Sequence, residues 1–198
     1  MKLDWASTSL ANATDHPVST LVVSAFLTDG EVQWWLPLAL LGIGSLGVVF
    51  GAWRTAALIV AAHVLGTVIS QGILGYRIAT GDLPRAYLNI QDVGPSYIVA
   101  GALVAGIGYA RWPGRLLCAA GFAALAPSLF VGLPHLELSA VGHASAIVVA
   151  LVVGGCFAWP ARPWRNASVR PNTWIPRCVR DPMADPVLNR TAKSTRSV

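Results

Sequence analysis

The stretch TAALIVAAHVLGTVISQGILGY, residues 55–76, contains no Asp, Glu, Lys or Arg. A helix needs about 20 mostly apolar residues to cross the roughly 30 Å of hydrocarbon in a bilayer, and this stretch is long enough. Four further charge-free stretches have comparable lengths and cover residues 32–53, 93–110, 116–136 and 138–161. The five stretches together predict an all-α, polytopic membrane protein with spans at 34–52, 55–73, 94–110, 116–133 and 140–159.

The composition agrees with a membrane location. The chain has 198 residues, of which 55% are hydrophobic and 12% charged, and its mean hydropathy is +0.58. Soluble domains carry about 25% charged residues, so about half of the usual charge is missing. This composition excludes a disordered chain and disfavours a water-soluble globule.

The distribution of basic residues predicts the topology. If the C-terminus is inside, segments 53–54, 111–115 and 160–198 are cytoplasmic and hold eleven basic and two acidic residues. The opposite side then holds three basic and seven acidic residues. The positive-inside rule therefore predicts a cytoplasmic C-terminus with residues 1–33 outside. The expected location is the plasma membrane. The N-terminus has no signal peptide, and this favours a further helix encoded upstream.

The chain is expected to divide into a membrane domain, residues 1–160, and a tail, residues 161–198. The tail carries eight of the fourteen basic residues and several prolines, which is typical of a disordered cytoplasmic segment. No aromatic residues are interleaved with this charge in a folded pattern, so no nucleic-acid partner is expected. Within the first part, Pro17–Leu27 is apolar but short and is predicted to be interfacial or re-entrant.

Glycines 42, 44 and 47 match the G-x-G-x-x-G pattern of dinucleotide-binding loops. The pattern lies inside a charge-free span with no preceding strand, which excludes that interpretation. Gly47 and Gly51 are instead interpreted as a GxxxG helix-packing motif. The three cysteines have no metal-ligand spacing, and neither a metal nor a cofactor is expected.

Two polar residues near the starts of predicted spans are candidates for chemistry. Ser96 follows Asp92 by four residues and His143 follows Glu137 by six, so both are expected roughly 6–9 Å below the outer boundary. A histidine at the depth of a serine could accept the serine proton and create a nucleophile. The alternative is structural, with Ser96 capping a helix and His143 making an interhelical hydrogen bond.

These residues resemble the motifs of the rhomboid intramembrane serine proteases. Gly94-Pro95-Ser96 is similar to the start of that family's Gly-x-Ser-Gly motif. His143-x-x-Ala146-x-x-x-Ala150 is similar to its His-x-x-Gly-x-x-x-Gly pattern, with alanine in place of both glycines. The resemblance implies a rhomboid-like helical bundle in which the five spans are the family's second to sixth helices. It also implies that Ser96 and His143 are catalytic and that membrane proteins are substrates or clients.

The sequence departs from the family pattern at the positions that stabilise the oxyanion. Tyr97 stands where the family has a glycine, and Gln33 is the one side-chain amide between positions 30 and 51, where the family has His and Asn. Gly94, Tyr97, Gln33 and Asp92 are therefore the oxyanion or orienting candidates, although Asp92 is expected mainly to cap the span.

His63 is the remaining ionisable residue inside a span. It is predicted to lie well below the Ser96–His143 level and to make an interhelical hydrogen bond. Two functions stay open. The chain is either an intramembrane protease or a catalytically inactive relative that binds membrane proteins or lipids. A small transporter is disfavoured because no Asp, Glu, Lys or Arg lies in mid-span.

Overall fold

The structure is a computed structural model that describes residues 9–26, 32–90, 92 and 95–159. The chain divides into two units, Met1–Ala161 and Arg162–Val198, and every described residue belongs to the first. Regular structure in these residues is entirely helical. The α-helices are α1 (Leu10–Asp15), α2 (Pro17–Ser24), α3 (Val32–Phe50), α4 (Ala52–Ala79), α5 (Ser96–Tyr109), α6 (Trp112–Leu129) and α7 (Leu138–Ala158), with short 3-10 helices at Arg85–Asn89 and Leu133–His135.

Helices α3 to α7 coincide with the five predicted spans, so the all-α prediction is confirmed. The largest difference is at α4, which continues to Ala79, six residues beyond the predicted end of the span at residue 73. The charge-free stretch ends at Arg77, but a long basic side chain does not end a helix. The Arg77 guanidinium instead hydrogen-bonds to the loop that precedes α7. The predicted tail, residues 161–198, lies outside the described residues.

Two of the described helices, α4 and α7, are long and apolar enough to cross a bilayer. Trp35–Phe50 of α3 and all of α5 are apolar but shorter. At 1.5 Å per residue, the 14 residues of α5 extend about 21 Å. The prediction of five spans is therefore not confirmed by helix length and composition.

Helix α5 lies at the centre of the bundle, in contact with α3, α4, α6 and α7. Small residues allow the close approach. A Cβ at Gly101 would lie 3.2 Å from the Ala62 Cβ and 3.3 Å from the Ala150 Cβ, and one at Gly66 would lie 3.1 Å from the Ala146 Cβ. Ala146 and Ala150 are both fully buried, so the small-residue face beyond His143 presses α7 against α4 and α5.

The prediction that Gly47 and Gly51 form a helix-packing motif is wrong for contacts within the described part of this chain. Gly47 has open space where its Cβ would be, and Gly51, at φ +79°, ends one helix and precedes the next. A residue in that conformation cannot continue the helical face of Gly47. The close helix approach occurs one turn earlier, where a Cβ at Gly42 would lie 2.9 Å from the Ala102 Cβ.

The N-terminal segment folds as a pair of short helices against α4. The Ser9 hydroxyl accepts a hydrogen bond from the Asn12 N–H (3.3 Å) at the start of α1, and Pro17 occupies the first turn of α2, where no N–H donor is needed. Thr20 and Ser24 of α2 are buried. The segment that the sequence predicted to be interfacial or re-entrant is thus helical and joined to the bundle.

Candidate functional site

Tyr97 lies at the centre of a buried polar cluster formed by α4, α5 and α7. Its side chain is 3% exposed, and its hydroxyl donates a 2.6 Å hydrogen bond to Asp92 Oδ2. The His143 ring meets the Tyr97 ring edge-on, with centroids 5.0 Å apart, and the His63 ring lies 6.4 Å away. A half-buried carboxylate, a buried phenol and two buried imidazoles thus lie together in the bundle.

His143 is held in one orientation by the end of α6. Its Nδ1 lies 3.0 Å from the Leu129 carbonyl oxygen, which can only accept, so Nδ1 carries a proton. In a neutral imidazole, Nε2 then carries the lone pair. Nε2 is buried and has no hydrogen-bond partner among the described residues. This is the tautomer that a general base needs.

Ser96 is the first residue of α5 and is half-buried. Successive residues on a helix point about 100° apart, so Ser96 and Tyr97 face different neighbours, and it is Tyr97 whose ring meets His143. No hydrogen bond joins Ser96 to His143 within the described part of the chain. Catalytic hydrogen bonds are often long without substrate, so the dyad stays a prediction.

The first turn of α5 offers backbone donors beside Ser96. Pro95 is the N-cap residue and gives no side-chain cap, and the helical hydrogen bonds begin with the Val99 N–H donating to the Pro95 carbonyl (2.9 Å). The N–H groups of the residues before Val99 make no hydrogen bond within the helix. They produce a positive potential that favours an oxyanion. Of the other oxyanion candidates, Gly94 and the Gln33 side chain lie outside the described residues.

The expectation that Asp92 caps α5 is wrong. The N-cap is Pro95, and the Asp92 carboxylate instead accepts the hydrogen bond of the Tyr97 hydroxyl. The physical reason is that Tyr97 points back along its helix into the bundle, where its hydroxyl needs a buried acceptor. Asp92 therefore connects the segment before Ser96 to the aromatic ring that packs on His143.

The expectation that His63 lies far below the site is also wrong. His63 Nε2 donates to the Leu21 carbonyl of α2 (2.9 Å), so the predicted interhelical hydrogen bond exists, but the ring also lies in the Tyr97 cluster. Measured from the end where α4 begins and α5 ends, His63 and Tyr97 are both roughly 17 Å along their helices. Helix α5 is short, so its first residues lie inside the bundle. Depth counted from the nearest charged residue of the sequence could not show this.

Asp92 should make the stability of the protein depend on pH. Burial raises the pKa of Asp92 above its ordinary value of 3.8, while the Tyr97 hydrogen bond opposes the shift. A raised pKa in the folded state means a stabilising contribution that is complete below pH 3.8 and lost as pH rises through the folded-state pKa. Asp92→Asn keeps an acceptor for Tyr97 but cannot ionise. We therefore expect its melting temperature to fall less than that of the wild type as the pH rises from 4 to 8.

The difference should be a few degrees and can be measured by thermal melting in detergent. The matched control is Asp82→Asn, which neutralises an exposed carboxylate that accepts only a local hydrogen bond from Thr80. Equal pH profiles for wild type and Asp92→Asn would contradict the assignment.

No group of three or more His, Cys, Asp or Glu side chains in the described ranges could hold a metal ion. Of the described cysteines, Cys118 is buried and Cys156 exposed, and both are free thiols.

Apolar, membrane-length helices around a buried histidine–tyrosine cluster define a class of helical membrane protein. Comparison with protein families places the chain within it, because the family model described as "Rhomboid-like protein" matches residues 2–159. The chain belongs to this rhomboid-like family, as its motifs predicted. Neither a curated protein nor a solved structure matches the chain.

Proposed function

We propose that the chain is an intramembrane serine protease in which Ser96 is the nucleophile and His143 the general base. The observation that carries the proposal is the state of His143, with Nδ1–H on the Leu129 carbonyl and a buried, unpartnered Nε2. His143 also contacts the residue that follows Ser96 in the sequence. The proposed substrates are transmembrane proteins, cleaved near the outer membrane face.

In the proposed reaction, the Ser96 hydroxyl gives its proton to His143 Nε2 as its oxygen attacks a substrate peptide carbonyl. The N–H groups at the start of α5 stabilise the resulting oxyanion. Collapse of the intermediate breaks the C–N bond, and His143 gives the proton to the leaving amine. Water then attacks the acyl-serine by the same route and releases the new carboxylate.

A second candidate is a catalytically inactive relative that binds membrane proteins or lipids. The observation that favours it is the Tyr97 ring, which makes a T-shaped contact with the His143 ring and lies where a Gly142 Cβ would be. In this case the cluster holds α4, α5 and α7 together and Ser96 has no chemical role.

We also propose five membrane spans, a plasma-membrane location and a cytoplasmic C-terminus. Exposed tryptophans and several arginines lie at the end of the bundle where α4 begins and α7 ends. These are Trp53, Trp112, Trp159, Arg54, Arg111 and Arg115. We propose that this end is cytoplasmic. Arg54 lies 6.0 Å from the centre of the Phe157 ring, which joins the start of α4 to the end of α7. Aromatic belts are typical of either membrane interface, and the excess of Arg favours the cytoplasmic one.

A fluorophosphonate probe, which phosphonylates activated serines, tests the protease. We expect the purified protein in detergent to be labelled, with no labelling of Ser96→Ala and a rate at least about 10²-fold lower for His143→Ala. Ser128→Ala is the matched control, because that exposed hydroxyl bonds only to the Leu125 carbonyl of its own helix.

Labelling of Ser96→Ala at the wild-type rate would refute the proposed nucleophile. A folded wild-type protein that is never labelled would favour the inactive scaffold instead. Loss of labelling in Ser128→Ala as well would show that the probe reports folding rather than the dyad.

A further inference from the structure

A cavity of about 410 Å³ lies at the end of the bundle where α4 ends and α7 begins. We call it the end pocket. Its walls come from the last turns of α4, the 3-10 helix Arg85–Asn89, the loop before α7 and the first turn of α7. Leu74 and Ser139 line it, and Ser139 lies one helical turn before His143. Along α7, the pocket is therefore only about 6 Å further out than the Tyr97 cluster.

The end pocket combines apolar walls with one cation. Leu83, Ile90 and Leu138 contribute apolar surface, and Arg77 contributes a guanidinium group. One nitrogen of Arg77, Nη1, donates to the carbonyl oxygens of His135 (2.9 Å) and Leu136 (3.2 Å), which fixes the group at the wall.

Among the described residues, the Arg77 guanidinium has no acidic partner. A guanidinium has five N–H donors, and the two carbonyl contacts leave donors unused. No carboxylate in the described part of the chain pairs with Arg77, and Glu137, also at the pocket, folds over Gly132. A fixed arginine with spare donors in an apolar cavity is complementary to a carboxylate next to an apolar group.

The position of the end pocket favours a peptide over a lipid as the source of that carboxylate. Leu74 is 5% exposed and faces the interior of the bundle, so the pocket continues the core outward and is enclosed by loops. An acyl chain would reach the lateral surface of α4 more directly. A polypeptide that enters from the end of the bundle could pass through the pocket on its way to Ser96.

We propose that the end pocket binds the extramembrane segment of a membrane-protein client, with an apolar side chain in the cavity and an adjacent Asp or Glu on Arg77. This inference rests on the proposed function, because it places the client beside the Ser96–His143 level. It gives a specificity that the dyad alone lacks, which is a preference for an acidic residue close to the span.

The test measures binding separately from cleavage. The probe is a fluorescent single-span model protein with a Leu-Asp pair next to its span, and a second probe carries Leu-Lys. Binding to the full chain with Ser96→Ala is measured in detergent by fluorescence anisotropy. We expect the Leu-Asp probe to bind about tenfold or more tightly than the Leu-Lys probe, and Arg77→Gln to remove this preference.

Charge reversal separates recognition from a folding defect. Arg77→Glu should invert the preference so that the Leu-Lys probe binds better, a result that misfolding cannot produce. Arg85→Gln is the matched control, because Arg85 is exposed and does not line the end pocket. It should keep the wild-type preference.

Equal binding of the two probes, or equal effects of Arg77→Gln and Arg85→Gln, would overturn the inference. It would also be overturned if Arg77→Gln changed only the binding of phosphatidylglycerol nanodiscs, since the pocket would then be a lipid site. Fluorophosphonate labelling in the Ser96-containing chain tests the dyad independently, so failure of one proposal does not imply failure of the other.

Discussion

Replacing Tyr97 with glycine, the residue that the rhomboid proteases have after their nucleophile, is expected to unfold the site rather than to improve it. The Tyr97 side chain is 3% exposed, packs on His143 and bonds to Asp92. Deleting a buried aromatic side chain lowers stability by about 3–5 kcal/mol, and glycine in a helix lowers it further by about 1 kcal/mol. We therefore expect Tyr97→Gly to lose most of its thermal stability and all serine labelling.

A buried thiol provides the measurement. Cys118 is fully buried, whereas Cys156 is exposed, and Cys178 is the third cysteine of the chain. In a background with serine at positions 156 and 178, a thiol-reactive dye reports the temperature at which Cys118 becomes accessible. Tyr97→Phe is the matched control, because it keeps the ring and removes only the hydroxyl. It should lose about 1.5–3 kcal/mol.

The opposite result would be informative about function. If Tyr97→Gly melted like the wild type and its serine reacted faster, the ring would be a removable obstruction over an active dyad. The packing argument for Tyr97 would then be wrong. If Tyr97→Phe were as unstable as Tyr97→Gly, the hydrogen bond to Asp92, rather than the ring, would hold the cluster together.

Adding one methyl group at Gly142 is the second change with a large expected effect. A Cβ there would overlap the Tyr97 ring and its hydroxyl oxygen. Because the ring is enclosed by His143 and tied to Asp92, it cannot move away freely. Overpacking of this kind destabilises by about 1–3 kcal/mol, so Gly142→Ala should melt well below the wild type in the Cys118 assay.

Gly47→Ala is the matched control for Gly142→Ala, since both replace a helical glycine. Position 47 has open space, so alanine should be neutral or stabilise by up to about 1 kcal/mol. The double variant Tyr97→Ala with Gly142→Ala should be less unstable than the sum of its parts, because removing the ring makes room for the methyl group. Simple additivity would show that the two residues do not share one space.

The helices of this protein could be predicted from the sequence because each follows from a local property. A charge-free stretch of sufficient length bounded by Arg, Asp or Glu predicts a helix without reference to any other part of the chain, and α3, α5, α6 and α7 begin and end within a few residues of prediction. The end of α4 was missed because Arg77 finds its partners in a loop that follows almost sixty residues later.

The candidate site could be predicted only in part. The sequence identified Ser96, His143, Asp92 and Tyr97, but it assigned Asp92 to a cap and placed His63 at another depth. The His63 error arises because depth was counted along each span separately, and the Asp92 error because a cap was inferred from a position one turn before Ser96. No local pattern reveals that α5 is short and starts inside the bundle, and the Leu21 and Leu129 carbonyls that hold the two histidines come from helices that sequence spacing does not relate to them.

The sequence by itself determined that this chain is a helical bundle with too little charge for water and that it is rhomboid-like, because hydrophobic length and short motifs are local. Only the tertiary structure decided that the Tyr97 ring packs on His143, that Asp92 accepts the hydrogen bond of the Tyr97 hydroxyl, and that Arg77 lines a cavity without pairing with any described carboxylate. Such neighbours depend on the rotation and depth of whole helices. A shift of one residue along a helix turns a side chain by about 100° and exchanges one neighbour for another.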